Sequence, residues 1–101
     1  MKVNVIIHSI HFDADQKLLS FIEEKINKLG HYFERIIDGE VYLKVENVNN
    51  TSNKLVEIRL KIPRNELFAK KISKSFEEST DLAVEAIRKQ LIKQKDKLAA
   101  I

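Results

Sequence analysis

The sequence predicts an α+β domain with the element order β-α-β-β-β-α. Two segments, 15–29 and 76–98, repeat apolar residues every three or four positions, as helices with one buried stripe do. The segments around them alternate apolar and polar residues, as strands with one buried face do. One Pro and two Gly among 101 residues leave little room for linkers. We therefore expect two layers, a four-stranded sheet with both helices packed on one face, in a single domain over 1–101.

The first strand is predicted over residues 2–10, where Val3, Val5, Ile6 and Ile7 make an almost continuous apolar run. Such a run is typical of a strand that is buried largely on both faces.

The first helix is predicted to begin at Asp13 or Asp15, either of which can cap its free amides, and to run to about Leu29. Gly30 is placed to end it. Its predicted buried stripe consists of Leu18, Ile22, Ile26 and Leu29.

The second strand should follow Gly39, with Val41, Leu43 and Val45 on one face. The polar residues 47–53 predict a turn or loop. The third strand is predicted over 54–62, with its even-numbered apolar residues Val56, Ile58, Leu60 and Ile62 on one face.

Pro63-Arg64-Asn65 should turn the chain into a fourth strand over 66–74, with Phe68 and Ile72 pointing inward. Ser75 and Glu78 then form a capping box for the last helix. That helix, 76–98, has a predicted buried stripe of Thr80, Val84, Ile87, Leu91 and Leu98. The first helix would make strands one and two parallel, and strands two to four would form an antiparallel meander.

Several classes of function find no support in the residues. The chain has no Cys, which excludes disulfides and thiolate chemistry. His8, His11 and His31 do not have the spacing of a metal site. No catalytic arrangement and no glycine-rich phosphate loop is visible, so we expect no enzyme, no cofactor and no small-molecule substrate. Without a signal-peptide pattern or an apolar span, we expect a cytoplasmic protein that does not bind membranes.

The charge distribution is the strongest functional signal. Residues 1–50 contain six Lys/Arg and eight Asp/Glu, a balance of −2, whereas residues 51–101 contain twelve and seven, a balance of +5. The last helix changes sign along its length, from Glu77, Glu78, Asp81 and Glu85 to Arg88, Lys89, Lys93, Lys95 and Lys97. A basic surface of this kind favours a polyanionic partner.

A solvated helix end that matches its own dipole would explain a single basic helix equally well. Three features favour RNA: lysines on the first helix, Lys70, Lys71 and Lys74 just before the last helix, and solvent-facing Leu82 and Ile92. Few aromatic residues lie among these Lys and Arg residues. Recognition of the backbone and shape of folded RNA is therefore favoured over stacking on nucleobases.

Three stretches resemble a known family. They are 28–36 (KLGHYFERI), 41–46 (VYLKVE) and 89–98 (KQLIKQKDKL). Together they resemble the ribosome hibernation-promoting factor family, which includes the ribosome-associated inhibitor also called protein Y. The resemblance follows the order and length of the whole chain, which looks like a short form without the C-terminal dimerisation domain.

The resemblance implies a translation inhibitor that occupies the decoding region of the small ribosomal subunit, binds 16S rRNA and stabilises idle ribosomes in stationary phase or stress. It also implies that Tyr32, Phe33, Leu43 and Val45 belong to the core. Short forms that promote ribosome dimers work with a companion hibernation protein, which is a further expected partner. From the basic surface and the resemblance together, the expected RNA-binding residues are Lys25, Lys28, Arg35, Lys70, Lys71, Arg88, Lys89, Lys93, Lys95 and Lys97.

Two alternatives stay open. Double-stranded-RNA-binding domains share this layer arrangement, so the chain could be a general duplex-RNA module. The second alternative is a protein-interaction domain that modulates a transcription factor.

Overall fold

The computed structural model describes residues 3–46 and 52–99, with side chains as far as Gln94 in the last helix. The element order β-α-β-β-β-α is confirmed. The elements are β1 (Val5–Ser9), α1 (Gln16–Leu29), β2 (Asp38–Val45), β3 (Lys54–Ile62), β4 (Asn65–Ser73) and α2 (Phe76–Ala99). Most of the loop predicted over 47–53 lies outside the described residues.

The sheet has the strand order β1-β2-β3-β4. β1 pairs parallel with β2, and β2, β3 and β4 form an antiparallel meander, as predicted. The parallel pair is possible because α1 connects its two strands. β1 and β4 are the edge strands.

The core lies between one face of the sheet and the two helices. Most helix-facing residues of β2 and β3 are buried, and so is the stripe predicted for α1. Burial of this stripe and of the matching sheet residues is the main stabilising term of the fold. The side chains without measurable exposure include Ile22, Ile26, Val41, Leu43, Val56, Ile58, Leu60 and Ile87.

α1 begins where the sequence places a cap. The side chain of Asp15, not that of Asp13, accepts a hydrogen bond of 2.8 Å from the amide of Leu18. This bond satisfies one of the free amides of the first turn. Gly30 ends the helix in an ordinary right-handed conformation, with φ of −61°.

The sequence predicts that the second strand begins after Gly39, but in the structure Gly39 lies inside β2. A Cβ at this position would lie 3.3 Å from Cδ1 of Leu60 and 3.8 Å from Cγ2 of Ile26. The glycine therefore allows α1 and β3 to approach the backbone of β2 closely.

The prediction for the inward face of β4 is wrong. Leu67 and Ala69 are buried, whereas Phe68 and Ile72 are 45% and 42% exposed. The cause is the hairpin: Ile62 pairs directly with Asn65, so the inward face continues through odd-numbered residues. The larger apolar side chains consequently lie on the open face of the sheet.

Three other expectations are corrected because no helix of the described structure covers the open face or these residues at the sheet rim. Ile6 is 50% exposed, so β1 is buried on one face only. Val45, at the end of β2, is 45% exposed, and Tyr32, after α1, is 47% exposed. Neither Val45 nor Tyr32 belongs to the core, whereas Phe33 and Leu43 do.

The start of α2 is fixed to the sheet by buried hydroxyls. Ser75 caps the helix by accepting a hydrogen bond of 3.1 Å from the amide of Glu78. The Oγ atoms of Ser73 and Ser79 lie 2.7 Å apart, and Ser79 also donates to the carbonyl of Lys54. These bonds join α2 to β3 and β4 and set its direction across the sheet.

The buried stripe of α2 differs from the prediction by one position. Ala83 is fully buried, while Val84 is only half-buried. Thr80, Ile87 and Leu91 are buried as predicted, and the side chain of Leu98 lies outside the described residues. A small residue at 83 lets α2 lie close to the sheet.

Candidate nucleic-acid interface

α1 and α2 run side by side in the same direction. The rings of Phe12 and Phe76, just before α1 and at the start of α2, stack at 5.2 Å. Further along, Lys25 of α1 contacts Asp81 of α2. Beyond α1, Tyr32 lies near Arg88. Because these contacts advance together along both segments, the C-terminal ends of the helices lie at the same end of the molecule.

The outward side of α2 changes sign as the sequence predicts. Glu78 and Glu85 are exposed on the first turns, and Lys89 and Lys93 are exposed further along. Acidic residues at the helix start and basic residues towards its end both complement the helix dipole. The cations therefore collect at the end of the molecule where α1 also finishes.

Two predicted RNA contacts on α1 are engaged in ion pairs. Nζ of Lys25 lies 3.2 Å from Oδ1 of Asp81 and 5.3 Å from the centre of the Phe21 ring. Nζ of Lys28 lies 3.9 Å from Oε1 of Glu24 on the same helix. Exposed pairs of this kind are weak, so a phosphate can compete for both ammonium groups.

Arg88 is held more firmly. Its guanidinium donates two hydrogen bonds to the carboxylate of Glu85, one of them from Nε at 2.9 Å, and it lies 6.0 Å from the Tyr32 ring centre. The hydrogen bonds lower the pKa of Glu85 and raise the pKa of Arg88. An RNA phosphate at this position has to displace Glu85 or share the guanidinium with it. The three-residue spacing of Glu85 and Arg88 on one helix is the sequence signal that could have predicted this pair.

Lys89 and Lys93 differ from these residues. Both are exposed, and within the described part of the chain neither has a carboxylate oxygen within 4.0 Å of its ammonium group. Ile92, between them, is 39% exposed, and Leu82 is 45% exposed on the same outer side. Binding of a polyanion to these lysines therefore breaks no ion pair of the residues whose side chains the structure describes.

The other residues predicted to bind RNA lie at several separate places in the structure. Arg35 is exposed beside the end of α1, where it lines a pocket together with Gln94 of α2. Lys71 is exposed on the edge strand β4, on the helix-facing side. The side chains of Lys95 and Lys97 lie outside the described residues.

Lys70 lies on the opposite face of the molecule from the helices. It pairs across strands with Glu57, on the open face of the sheet. The prediction grouped Lys70 with the helix lysines because it is close to α2 in sequence. Alternation along β4 points it away from α2, so it does not join their surface.

The open face of the sheet carries a network of its own. The rings of His8 and Tyr42 stack at 4.7 Å, and Tyr42 donates a hydrogen bond of 2.7 Å to Glu40. That bond lowers the pKa of Glu40 and raises the pKa of Tyr42. The guanidinium of Arg59 lies 5.7 Å from the ring centres of both Tyr42 and Phe68.

Other kinds of site are not found in the described part of the chain. Over residues 3–46 and 52–99, no three His, Asp or Glu side chains are grouped so that they could hold a metal ion. No helix there combines the length and the apolar composition that crossing a membrane requires.

Comparison with known proteins identifies the family. The model of the family described as "Sigma 54 modulation protein / S30EA ribosomal protein" matches residues 5–99. The chain belongs to this family. The match spans every helix and strand described above, including both halves of α2.

Relatives of similar length are ribosome hibernation promoting factors. The chain is 30% identical to the factor of Azotobacter vinelandii over 97 residues, covering 96% of this chain and 85% of the relative. It is 31% identical to the factor of Escherichia coli K12 over 98 residues, covering 97% of each. The hibernation-promoting factor family is a non-enzymatic family of ribosome-binding proteins, so the expectation that this chain is not an enzyme is confirmed.

Solved structures show the same fold. A ribosomal subunit interface protein from Coxiella burnetii superposes with a TM-score of 0.81 at 19% identity, over 93% of this chain and 99% of that one. The N-terminal domain of Thermus thermophilus protein Y gives a TM-score of 0.73 at 16% identity, over 90% and 96%. At these identities the likeness concerns the fold, and it confirms the predicted β-α-β-β-β-α architecture.

Proposed function

We propose that this protein is a ribosome hibernation factor that binds 16S rRNA in the decoding region of the small ribosomal subunit. Occupying that region would block translation and stabilise idle ribosomes in stationary phase or stress, in the cytoplasm where ribosomes reside. A companion hibernation protein is part of this proposal only for the formation of ribosome dimers.

The observation that carries the proposal is a pair of exposed cations on α2 that form no ion pair with any described residue. Lys89 and Lys93 are exposed and one helical turn apart, so their ammonium groups can follow successive phosphates of an RNA backbone. Lys25 and Lys28 on α1 are in weak ion pairs that RNA can exchange, and Arg88 on α2 can bind RNA once Glu85 is displaced. Membership of the family supports the ribosome as the source of that RNA.

The mode of binding follows from the residue types of the surface. No aromatic residue lies between Lys89 and Lys93 on α2. Such a surface suits the backbone of folded RNA, whose phosphates it recognises by position and charge. The opposite, open face of the sheet would then point away from the rRNA.

Cosedimentation with purified small subunits tests the proposal. We expect the double variant Lys89→Glu/Lys93→Glu to lose roughly a hundredfold in affinity, because two attractive contacts become repulsions of about 1 kcal/mol or more each. The matched control is Lys61→Glu/Lys70→Glu, which reverses two exposed charges on the open face and should leave affinity within about twofold.

Equal binding by both double variants would contradict the proposed RNA face. Competition with a plain RNA duplex distinguishes the proposed function from the alternative of a general duplex-RNA module. If the duplex displaces the protein from small subunits at equal nucleotide concentration, the protein is a general duplex binder rather than a ribosome factor.

A further inference from the structure

A pocket lies between the connection after α1, the β3–β4 hairpin and α2. It has a volume of about 540 Å³ and is formed by three separate segments. The connection after α1 contributes Phe33 and Arg35, the β3–β4 hairpin contributes residues 62–65, and α2 contributes Gln94. Its volume falls within the range of about 300–1,000 Å³ that is usual for small-ligand sites.

The pocket combines two guanidinium groups with an apolar floor. Arg35 and Arg64 are both exposed at its rim, and among the described residues neither is within 4.0 Å of a carboxylate oxygen. Phe33 and Ile62, which form the floor, are buried. Guanidinium groups of this kind bind phosphate through paired hydrogen bonds.

Two amides complete the lining. Oδ1 of Asn65 accepts a hydrogen bond of 2.8 Å from the backbone amide of Glu66, which leaves its NH₂ group to face a ligand. Gln94 lies one turn beyond Gln90. The side chain of Gln90 donates a hydrogen bond of 2.8 Å to the carbonyl of Phe68 and so joins α2 to β4. Side-chain amides match the donor and acceptor pattern of nucleobase edges.

The backbone at Arg64 is a second, independent observation. Pro63 and Arg64 form a two-residue connection between paired Ile62 and Asn65, and Arg64 has φ of 67°. Gly or Asn ordinarily occupies such a position, because other residues are strained at positive φ. A strained arginine that lines a pocket is the kind of outlier from which a functional role can be inferred.

We propose that this pocket holds one unpaired nucleotide of the ribosomal RNA. The phosphate would bind between Arg35 and Arg64, and the base would lie on the Pro63 and Phe33 side within reach of the two amides. This inference rests on the proposed function, since Lys93 beside Gln94 would bind the neighbouring backbone. It adds Arg64 and Gln94 to the RNA-binding residues.

The first measurement is an NMR titration of the full chain with AMP, GMP, CMP and UMP, and with adenosine as the probe without phosphate. We expect at least one nucleotide to shift the amide signals of residues 33–35 and 62–65 and the side-chain amide of Gln94, and adenosine to shift them less. The variant Arg64→Gly should abolish these shifts without loss of thermal stability, because glycine accepts the positive φ.

The second measurement is cosedimentation of the same variant with small subunits. We expect Arg64→Gly to weaken binding roughly tenfold, as for one charged hydrogen-bonded contact. Arg64→Asn should weaken binding to the same extent, since Asn also tolerates this backbone conformation. Lys61→Gln removes one charge from the same hairpin outside the pocket and should change binding less than twofold.

Each other result overturns the inference. Nucleotide shifts with unchanged subunit binding of Arg64→Gly would assign the pocket to a free nucleotide. Weakened subunit binding without nucleotide shifts would assign it to an acidic group of a ribosomal protein. In both cases wild-type binding to the subunit would leave the proposed function standing, whereas failure of the wild type to bind would remove the proposed function and this inference together.

Discussion

The two outer faces of this molecule carry similar residue types and arrange them in opposite ways. Along the open face of β2–β4, four acidic and four basic residues sum to zero, and all but one of the cations have a carboxylate residue directly across the strand. At the end of the helix face, neither Lys89 nor Lys93 forms an ion pair within 4.0 Å in the described part of the chain, although the charge of Lys89 contributes to the lowered pKa of Glu85. The residues of the open face are Asp38, Glu40, Glu57 and Glu66 with Lys44, Arg59, Lys61 and Lys70.

The difference shows that placement, rather than the number of cations, makes a surface attractive to RNA. Lys61 lies opposite both Asp38 and Glu66 on the neighbouring strands, so nearby carboxylates offset its charge. Lys89 and Lys93 add to each other and to the positively charged segment after them in the sequence. The net charge of +3 is therefore concentrated at one end of the helix layer.

The largest difference between the faces should appear in stability. Ile58 of β3 points into the core without exposure, whereas Phe68 of β4 is 45% exposed on the open face. We expect Ile58→Ala to reduce the free energy of unfolding by about 2–5 kcal/mol and Phe68→Ala by about 1 kcal/mol. Urea denaturation measures both losses of stability, provided that each variant has the same m value as the wild type. Equal losses would mean that the open face is packed against something as closely as the helix face is.

A smaller effect, on binding to small subunits, is expected at Arg88, whose charge on the helix face is neutralised by Glu85. Glu85→Gln should tighten binding to small subunits about two- to fivefold, because RNA no longer has to displace the carboxylate from Arg88. Glu78→Gln removes the same charge two turns earlier on α2, and the described contacts give its side chain no ion pair. If both variants tighten binding equally, net charge rather than the Glu85–Arg88 pair is responsible.

The smallest expected effect concerns pH and the open face. The Tyr42 hydrogen bond lowers the pKa of Glu40 from its ordinary value of 4.5, so the bond stabilises the fold above that value and ceases to do so as the pH falls through the lowered pKa. Tyr42→Phe should thus be less stable than wild type at neutral pH, and the two should converge in acid. Thermal unfolding across this pH range checks it, and a constant difference would contradict it.

The sequence predicts most of this fold because local signals and burial agree. Asp15, Ser75 and the stripe of α1 are visible in the sequence, since caps and helical periodicity are local. The inward face of β4 is not, because it depends on the pairing of Ile62 with Asn65 across a two-residue turn. The sequence analysis placed Phe68 and Ile72 inside, yet Leu67 and Ala69 are the buried residues.

The candidate site shows the same limit. Exposure of Lys89 and Lys93 follows from the 100° periodicity of α2. The position of Lys70 on the other face and the contribution of Arg64 to a pocket depend on strand register and on contacts between distant segments. Neither leaves a signal in a single sequence, apart from Pro-Arg-Asn where a turn with Gly would be ordinary.

The most direct test of the account is the salt dependence of small-subunit binding, measured for wild type, Lys89→Gln/Lys93→Gln and the open-face control Lys61→Gln/Lys70→Gln. If Lys89 and Lys93 each hold a phosphate, the slope of log affinity against log salt should fall by about two for the first variant. The control should keep the wild-type slope. Equal slopes for all three proteins would contradict the claim that these helix lysines bind ribosomal RNA.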